Sequence, residues 1–162
     1  MEIERKFTIK QLPDHLNEYT SKKIVQAYLC TDPVIRIRKQ DDSYYLTYKG
    51  KGLMAREEYN LPLHEDAFLH LLPKADGNII SKTRYLIPIS NPVFSEAFHA
   101  PGQTALTIEL DIFDPPFSPL IMAEVEFPTE EMANAFCMPD WFLEDVTNDP
   151  AYHNSNMSRR VF

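Results

Sequence analysis

The chain has 162 residues, 44% of them hydrophobic, which is enough to bury a core and fits one domain spanning 1–162 better than two. Its 24 acidic and 16 basic side chains give a net charge of −8 and a pI near 5.1. That balance excludes broad attraction to nucleic acid or to an anionic membrane, both of which need surplus Lys and Arg, so any anionic ligand must be held by a local basic cluster.

Taken in chain order, period-two alternation predicts a first strand over Glu2–Ile9 and, after it, a helix over Pro13–Lys23 with proline near its first turn. Strands follow at Ile24–Cys30, Pro33–Lys39, Tyr44–Gly50 and Ala55–Leu61. They are joined by hairpin turns at Thr31–Asp32, at Asp41–Asp42 and at the glycines Gly50 and Gly52. His64–Leu72 reads as a helix stopped by Pro73, and Ile79–Ile89 as a sixth strand. Ser90–Gly102, with its prolines and glycine, reads as a long excursion carrying a short strand around Phe94. Ala105–Phe113 and Leu120–Pro128 complete the strands, and Thr129–Cys137 forms a helix with Thr129 as N-cap.

The remaining features carry less. The stretch Asp140, Glu144, Asp145 and Asp149 reads as a solvated turn region, and Cys30 and Cys137 as free thiols. His15, His64, His70, His99 and His153 show no ligand spacing and are expected at surface or satisfied positions. No apolar run approaches the roughly 18 residues of a membrane span. The N-terminus is charged where a signal peptide would be apolar, so a cytoplasmic location is expected.

Strand parity is the most informative signal. Residues i and i+2 of a strand point the same way about 7 Å apart. The first strand therefore lines up Glu2, Glu4 and Lys6, "VIRIRK" lines up Arg36 and Arg38, and "YLTYKG" places Lys49 with Tyr45 and Thr47. "AREEYN" offers Arg56 and Glu58, "KTRY" Lys82 and Arg84, "IELDIF" Glu109 and Asp111, and "AEVEF" Glu124 and Glu126. A solvated sheet face mixes signs, because like charges side by side repel, whereas most of these doublets carry one sign. Carboxylates at this density suit a hard divalent cation, which in the case of Mg²⁺ shares its shell with phosphate and water. The Arg and Lys doublets suit phosphate oxygens. The opposite faces carry Ile3, Ile35, Ile37, Leu46, Ile108, Leu110 and Val125. The expected fold is therefore mainly β within α+β: an eight-stranded antiparallel closed barrel, charged inside, with helices packed on its apolar outside.

The opening E-x-E-x-K at Glu2, Glu4 and Lys6 resembles the signature of the CYTH superfamily, the triphosphate tunnel metalloenzymes, which include class IV adenylate cyclases and thiamine triphosphatases. "IERKF", "QAYL", "RIRK", "YLTYKG", "REEY", "KTRY", "IELDIF", "AEVEF" and "WFLEDVTNDPAYHN" follow in the order of its compact bacterial members. The resemblance implies a tunnel that binds a triphosphate with Mg²⁺ or Mn²⁺. It implies that Glu4, Glu124 and Glu126 are metal carboxylates, with Glu2 and Asp111 close by and Glu109 a further candidate. It also implies that Lys6, Arg36, Arg38, Lys49, Arg56, Lys82 and Arg84 bind phosphate, and that Tyr152 and Asn154 belong to a tail packed on the barrel end. Catalytic roles fall to Glu4, Lys6, Arg56 and Glu58. One position departs from the pattern: where many relatives read R-x-E-x-E, this chain has Asn60, which cannot act as a base.

The activity expected is metal-dependent hydrolysis of a triphosphate, inorganic tripolyphosphate first, to diphosphate and orthophosphate. Nucleoside or thiamine triphosphates and cyclisation of ATP are the alternatives within the family. Tyr28, Tyr45, Phe94 and Trp141 are the aromatics available to stack on a base, each more commonly core or cover. A polyphosphate-binding module without turnover is the alternative outside it. The partner is a small anionic substrate, and the sequence leaves the oligomeric state open, a homodimer included.

Overall fold

The period-two segments form strands, and the strands close on themselves. The computed structural model describes residues 1–102 and 104–162. Its strands are β1 (Glu2–Ile9), β2 (Thr20–Thr31), β3 (Val34–Gln40), β4 (Ser43–Lys49), β5 (Ala55–Arg56), β6 (Glu58–Pro62), β7 (Asp76–Ile89), β8 (Val93–Phe94), β9 (Leu106–Phe113), β10 (Ile121–Glu126), β11 (Phe136–Cys137) and β12 (Phe142–Asp145). The helices are α1 (Glu65–Leu71), α2 (Glu130–Ala135) and α3 (Asn154–Met157).

Antiparallel pairing runs β1-β10-β9-β7-β2-β3-β4-β6. The ring closes because β5, separated from β6 only by Glu57, pairs with β1 through Glu2↔Arg56 and Ile3↔Ala55. With β5 and β6 taken as one bent strand, the barrel has the eight antiparallel strands expected. The loop from β4 into β5 depends on Gly52, whose φ of 135° and missing Cβ leave room for the Ala55 carbonyl, 2.2 Å from where a Cβ would stand.

The apolar outer faces are covered as the pattern requires. α2, β11 and β12 close over Ile3, Phe7, Ile108, Leu110 and Val125, while Phe68 of α1 packs with Ala27 and Ile37. Thr129 caps α2, its hydroxyl accepting from Met132 N at 3.1 Å. The excursion after β7 carries the short strand expected near Phe94, where β8 pairs with β11.

Three expectations are corrected. Pro13–Lys23 is not a helix: it holds one 3₁₀ turn at Leu16–Glu18, and from Thr20 the chain is already in β2. The 14-residue β7 supplies a ladder from Thr20↔Leu86 onward, and that pairing outweighs local propensity. The α-helix before Pro73 ends at Leu71 as expected, but the helix expected over Thr129–Cys137 stops at Ala135, because Phe136–Cys137 form β11 against β8. The region around Asp145 is not a solvated turn, because β12 pairs with β1 at Phe7↔Asp145 and buries Phe142.

The inward face is also not charged throughout. The parity that turns Lys82, Asp111 and Glu124 inward also turns Ile80, Phe113 and Met122 inward, and these join Phe117, Val146 and Met157 in an apolar cluster. The charged lumen therefore ends against an apolar floor.

Candidate active site

The lumen separates its charges by strand. β3 contributes Arg36 and Arg38, β4 Lys49 and β5 Arg56 to one wall; β1 contributes Glu2 and Glu4, β9 Glu109 and β10 Glu124 to the other. All of them line one cavity, together with Lys6, Glu58 and Arg84.

The basic side chains of the acidic wall are committed to carboxylates. Arg84 holds Asp111 in a fork at 2.7 and 2.8 Å, pairs with Glu109, and lies 3.4 Å from Glu124. Lys6 Nζ stands between Glu4 and Glu124 at 3.7 and 3.8 Å, and Lys49 of the basic wall reaches Glu2 at 2.7 Å. The guanidiniums of the basic wall are not neutralised. Among the described residues, Arg36, Arg38 and Arg56 have no carboxylate within ion-pair distance. Arg38 is held instead by Gln26 Oε1, at 2.9 and 2.5 Å, and Arg36 by the Thr47 hydroxyl at 3.3 Å. Nε of Arg36 and Nε of Arg56 are buried without any partner. Buried guanidiniums cost several kcal/mol each unless paired, so this wall is built for an anion.

The carboxylates show the complementary deficit. Burial and the neighbouring Glu124 push the Glu4 carboxyl up to about 7. Burial, with Glu124 and Asp111 adding repulsion, takes Glu109 to about 7 despite Arg84. Burial also raises Glu2. Burial alone would raise Glu124 too, but Lys6, Arg84, Lys82 and Lys49 outweigh it and hold Glu124 well below the usual range. Burial beside Arg84 brings the Lys82 ammonium down to about 8, even with Asp111 2.7 Å away.

Of the charged side chains singled out by parity, three stand outside the cavity lining. Lys82 and Asp111 are fully buried behind it, paired with each other, with Lys82 Nζ 5.2 Å from the centre of the Phe113 ring. Asp111 gives its oxygens to Arg84 and Lys82, an arrangement that fixes Arg84. Glu126 sits at the exposed rim, opposite Glu4 in register. Asn60 is tied into the wall: its Oδ1 accepts from Thr47 at 2.6 Å and its Nδ2 donates to Glu58 at 3.4 Å, so the position braces Glu58.

Parity reading missed Tyr28, His153, Asn154 and Ser155, all of which line the cavity. Tyr28 shares the inward face of Gln26, a signal that was available. The other three reach the lumen from the C-terminal segment, which no strand period could place. His153 Nε2 lies 3.0 Å from the Thr147 carbonyl, and burial with Lys6 and Arg56 nearby lowers its pKa. Of the other aromatics, Trp141 and Phe94 pack in the outer cover, and Tyr45 stands beside Arg38.

With long side chains paired inside it, as Lys49 is with Glu2, the cavity measures about 60 Å³.

Comparison with known proteins agrees with this architecture. The family model of the CYTH domain matches residues 1–132. A curated inorganic triphosphatase of Nitrosomonas europaea is 36% identical over 163 residues, covering 99% of this chain and 98% of that protein. An inorganic triphosphatase of Acetivibrio thermocellus is 33% identical over 135 residues, covering 81% of this chain and 75% of the relative. A crystal structure of an inorganic triphosphatase superposes with a TM-score of 0.67 at 34% identity, over 99% of this chain and 96% of that one.

Proposed function

The chain belongs to the CYTH domain family, and from that premise we propose that it hydrolyses inorganic tripolyphosphate to diphosphate and orthophosphate. The observation that carries this reading is the guanidinium wall: among the described residues Arg36, Arg38 and Arg56, inside an acidic protein, have no carboxylate within ion-pair distance, and they share one cavity with crowded carboxylates. The names of two relatives above 30% identity supply the substrate.

In the reaction, water attacks the terminal phosphorus, the P–O–P bond breaks and diphosphate leaves. Catalysis of phosphoryl transfer rests on positioning and charge stabilisation. Arg36, Arg38 and Arg56 hold the phosphate chain along one wall with Lys49, which exchanges Glu2 for phosphate oxygen. Lys6 crosses to the reacting end from between Glu4 and Glu124. Glu58, braced by Asn60, orients the water or receives its proton.

A divalent cation, Mg²⁺ or Mn²⁺, suits the acidic wall. Its donors are hard oxygens, and the carboxyls of Glu4 and Glu109 at about 7 show a cluster short of positive charge. Among the described residues no three His, Cys, Asp or Glu side chains gather as a ready ligand set. That fits a cation of the Mg²⁺ type, which takes one or two carboxylates and completes its shell with phosphate and water. Glu4 and Glu124, helped by Glu2, are the residues to hold it. Bound there, it would supply charge neutralisation at phosphate and a more acidic water.

The test is orthophosphate release from tripolyphosphate, ATP and thiamine triphosphate in parallel, each with Mg²⁺, Mn²⁺ or EDTA. Release fastest on tripolyphosphate and abolished by EDTA is the expected result. Cyclic AMP and diphosphate from ATP, or binding without turnover, would overturn it.

A further inference from the structure

Past Arg56 the lumen opens into a second recess of about 340 Å³, whose walls share Val34, Arg56, His153 and Ser155 with the central cavity. It is enclosed by the β2–β3 turn, the glycine-flanked loop around Lys51, and the C-terminal segment as far as Arg159. These walls are anchored. Gly52 pins the loop as described above, and the C-terminal segment is tied down by Asn78 N donating to the Ser158 carbonyl at 2.6 Å and by fully buried Met157.

The recess is cationic on a chain of net charge −8. Lys51, Arg56 and Arg159 line it against a single carboxylate, Asp32. Among the described residues none of these three cations is ion-paired, and the buried Nε of Arg56 has no partner at all. An isolated surface lysine would carry no such meaning. Here two cations flank a half-buried guanidinium, its buried Nε unpartnered, at the junction of two cavities.

We propose that this recess is an outer phosphate subsite: a linear polyphosphate of four or more units continues from the central cavity past Arg56, and its additional phosphate lies between Lys51 and Arg159. The proposal rests on the triphosphatase reading for the inner phosphates and adds a determinant of chain length. Each added phosphate brings negative charge that the recess can meet with Lys51 and Arg159. Lys51 and Arg159 lie outside the reacting centre, so they act on the affinity for longer chains without altering the chemical step.

The double variant Lys51→Ala/Arg159→Ala tests this, because both side chains are exposed and neither belongs to the machinery assigned above. Affinities for tripolyphosphate and tetrapolyphosphate are measured by titration calorimetry in EDTA, and KM and kcat for both in Mg²⁺. Removing two exposed cations together predicts about a tenfold weaker affinity and higher KM for tetrapolyphosphate. For tripolyphosphate the change should stay below about twofold in KM, with kcat unchanged.

Equal loss for both chain lengths would reduce the pair to a general attractive field and overturn the proposal, as would no loss for tetrapolyphosphate. Weakened product inhibition by orthophosphate alone, with tetrapolyphosphate affinity intact, would overturn it in favour of a product exit. If the wild type fails to hydrolyse tripolyphosphate, the activity reading falls, while the calorimetric comparison still decides the subsite.

Discussion

Glu4→Gln should make the metal-free protein more stable while removing most of its activity. Glu4 sits in the lumen with its carboxyl at about 7, against an ordinary value of 4.5, because burial and Glu124 disfavour its charge more than Lys6 and Lys49 favour it. Its pKa is higher folded than unfolded, so the folded state binds more protons between these values. The contribution to stability is present in full below pH 4.5 and lost as pH rises through about 7. A displacement from 4.5 to about 7 is worth about 3 kcal/mol. Glutamine reproduces the size and neutrality of the protonated acid, so at about pH 8 in EDTA the variant should melt roughly 6–12 °C above the wild type, at about 2–4 °C per kcal/mol for a chain of this size. At about pH 4.5 the two should coincide. Thermal melts across that range read the effect directly, and Mg²⁺ should then raise the wild-type midpoint far more than the variant's. A variant that melts at or below the wild type at the alkaline end would refute the reasoning, since Glu4 would then not be a buried charge held at a cost.

Two further substitutions separate support from contact. Asp111→Asn removes the carboxylate shared by Arg84 and Lys82 at a fully buried position. It should cost on the order of 3–5 kcal/mol, read by urea denaturation, and a loss under about 1 kcal/mol would show that the pair of cations does not depend on it. Gln26→Leu strips two of the three hydrogen bonds from Arg38, leaving the one it donates to the Tyr45 hydroxyl at 3.4 Å, so KM for tripolyphosphate should rise about tenfold, with a smaller fall in kcat. Unchanged KM would mean that Arg38 is placed without Gln26.

The barrel was legible because one physical pattern repeats along it. In β3, β9 and β10 charged doublets alternate with aliphatic residues, and in β1 and β7 the doublets Glu2–Glu4 and Lys82–Arg84 hold the same parity, a pattern that a closed sheet with a charged inside satisfies in all five at once. What parity could not provide was where along the strands the charged lumen stops. Ile80, Phe113 and Met122 share the inward face with Lys82, Asp111 and Glu124, and only the packing of Val146 and Met157 against them reveals a floor. Nor could parity separate ligand-facing charges from structural ones: Lys82 and Asp111 look like Arg84 and Glu109 in sequence, yet they stand behind the cavity, paired with each other. Pro13–Lys23 failed for a related reason, since the partner that makes Thr20 a strand residue is Leu86, far along the chain. Parity could not place His153, Asn154 and Ser155 in the lumen, because they enter it from a short tail with no period to read; only the family resemblance set Asn154 at the barrel end.

The central claim is that a guanidinium wall without counter-carboxylates exists to hold a triphosphate for cleavage. The most direct measurement is kcat/KM for tripolyphosphate in Mg²⁺ for the wild type and for Arg36→Gln, with ATP in parallel. Arg36 is buried, lacks a carboxylate and has its Nε unpartnered. Without one charge-assisted phosphate contact, kcat/KM should fall by about tenfold to 150-fold, while removal of an unpaired buried charge leaves the folded protein at least as stable. Wild-type activity on tripolyphosphate together with that loss is the predicted result. Turnover unaffected by Arg36→Gln, or no tripolyphosphate hydrolysis by the wild type, would contradict the account.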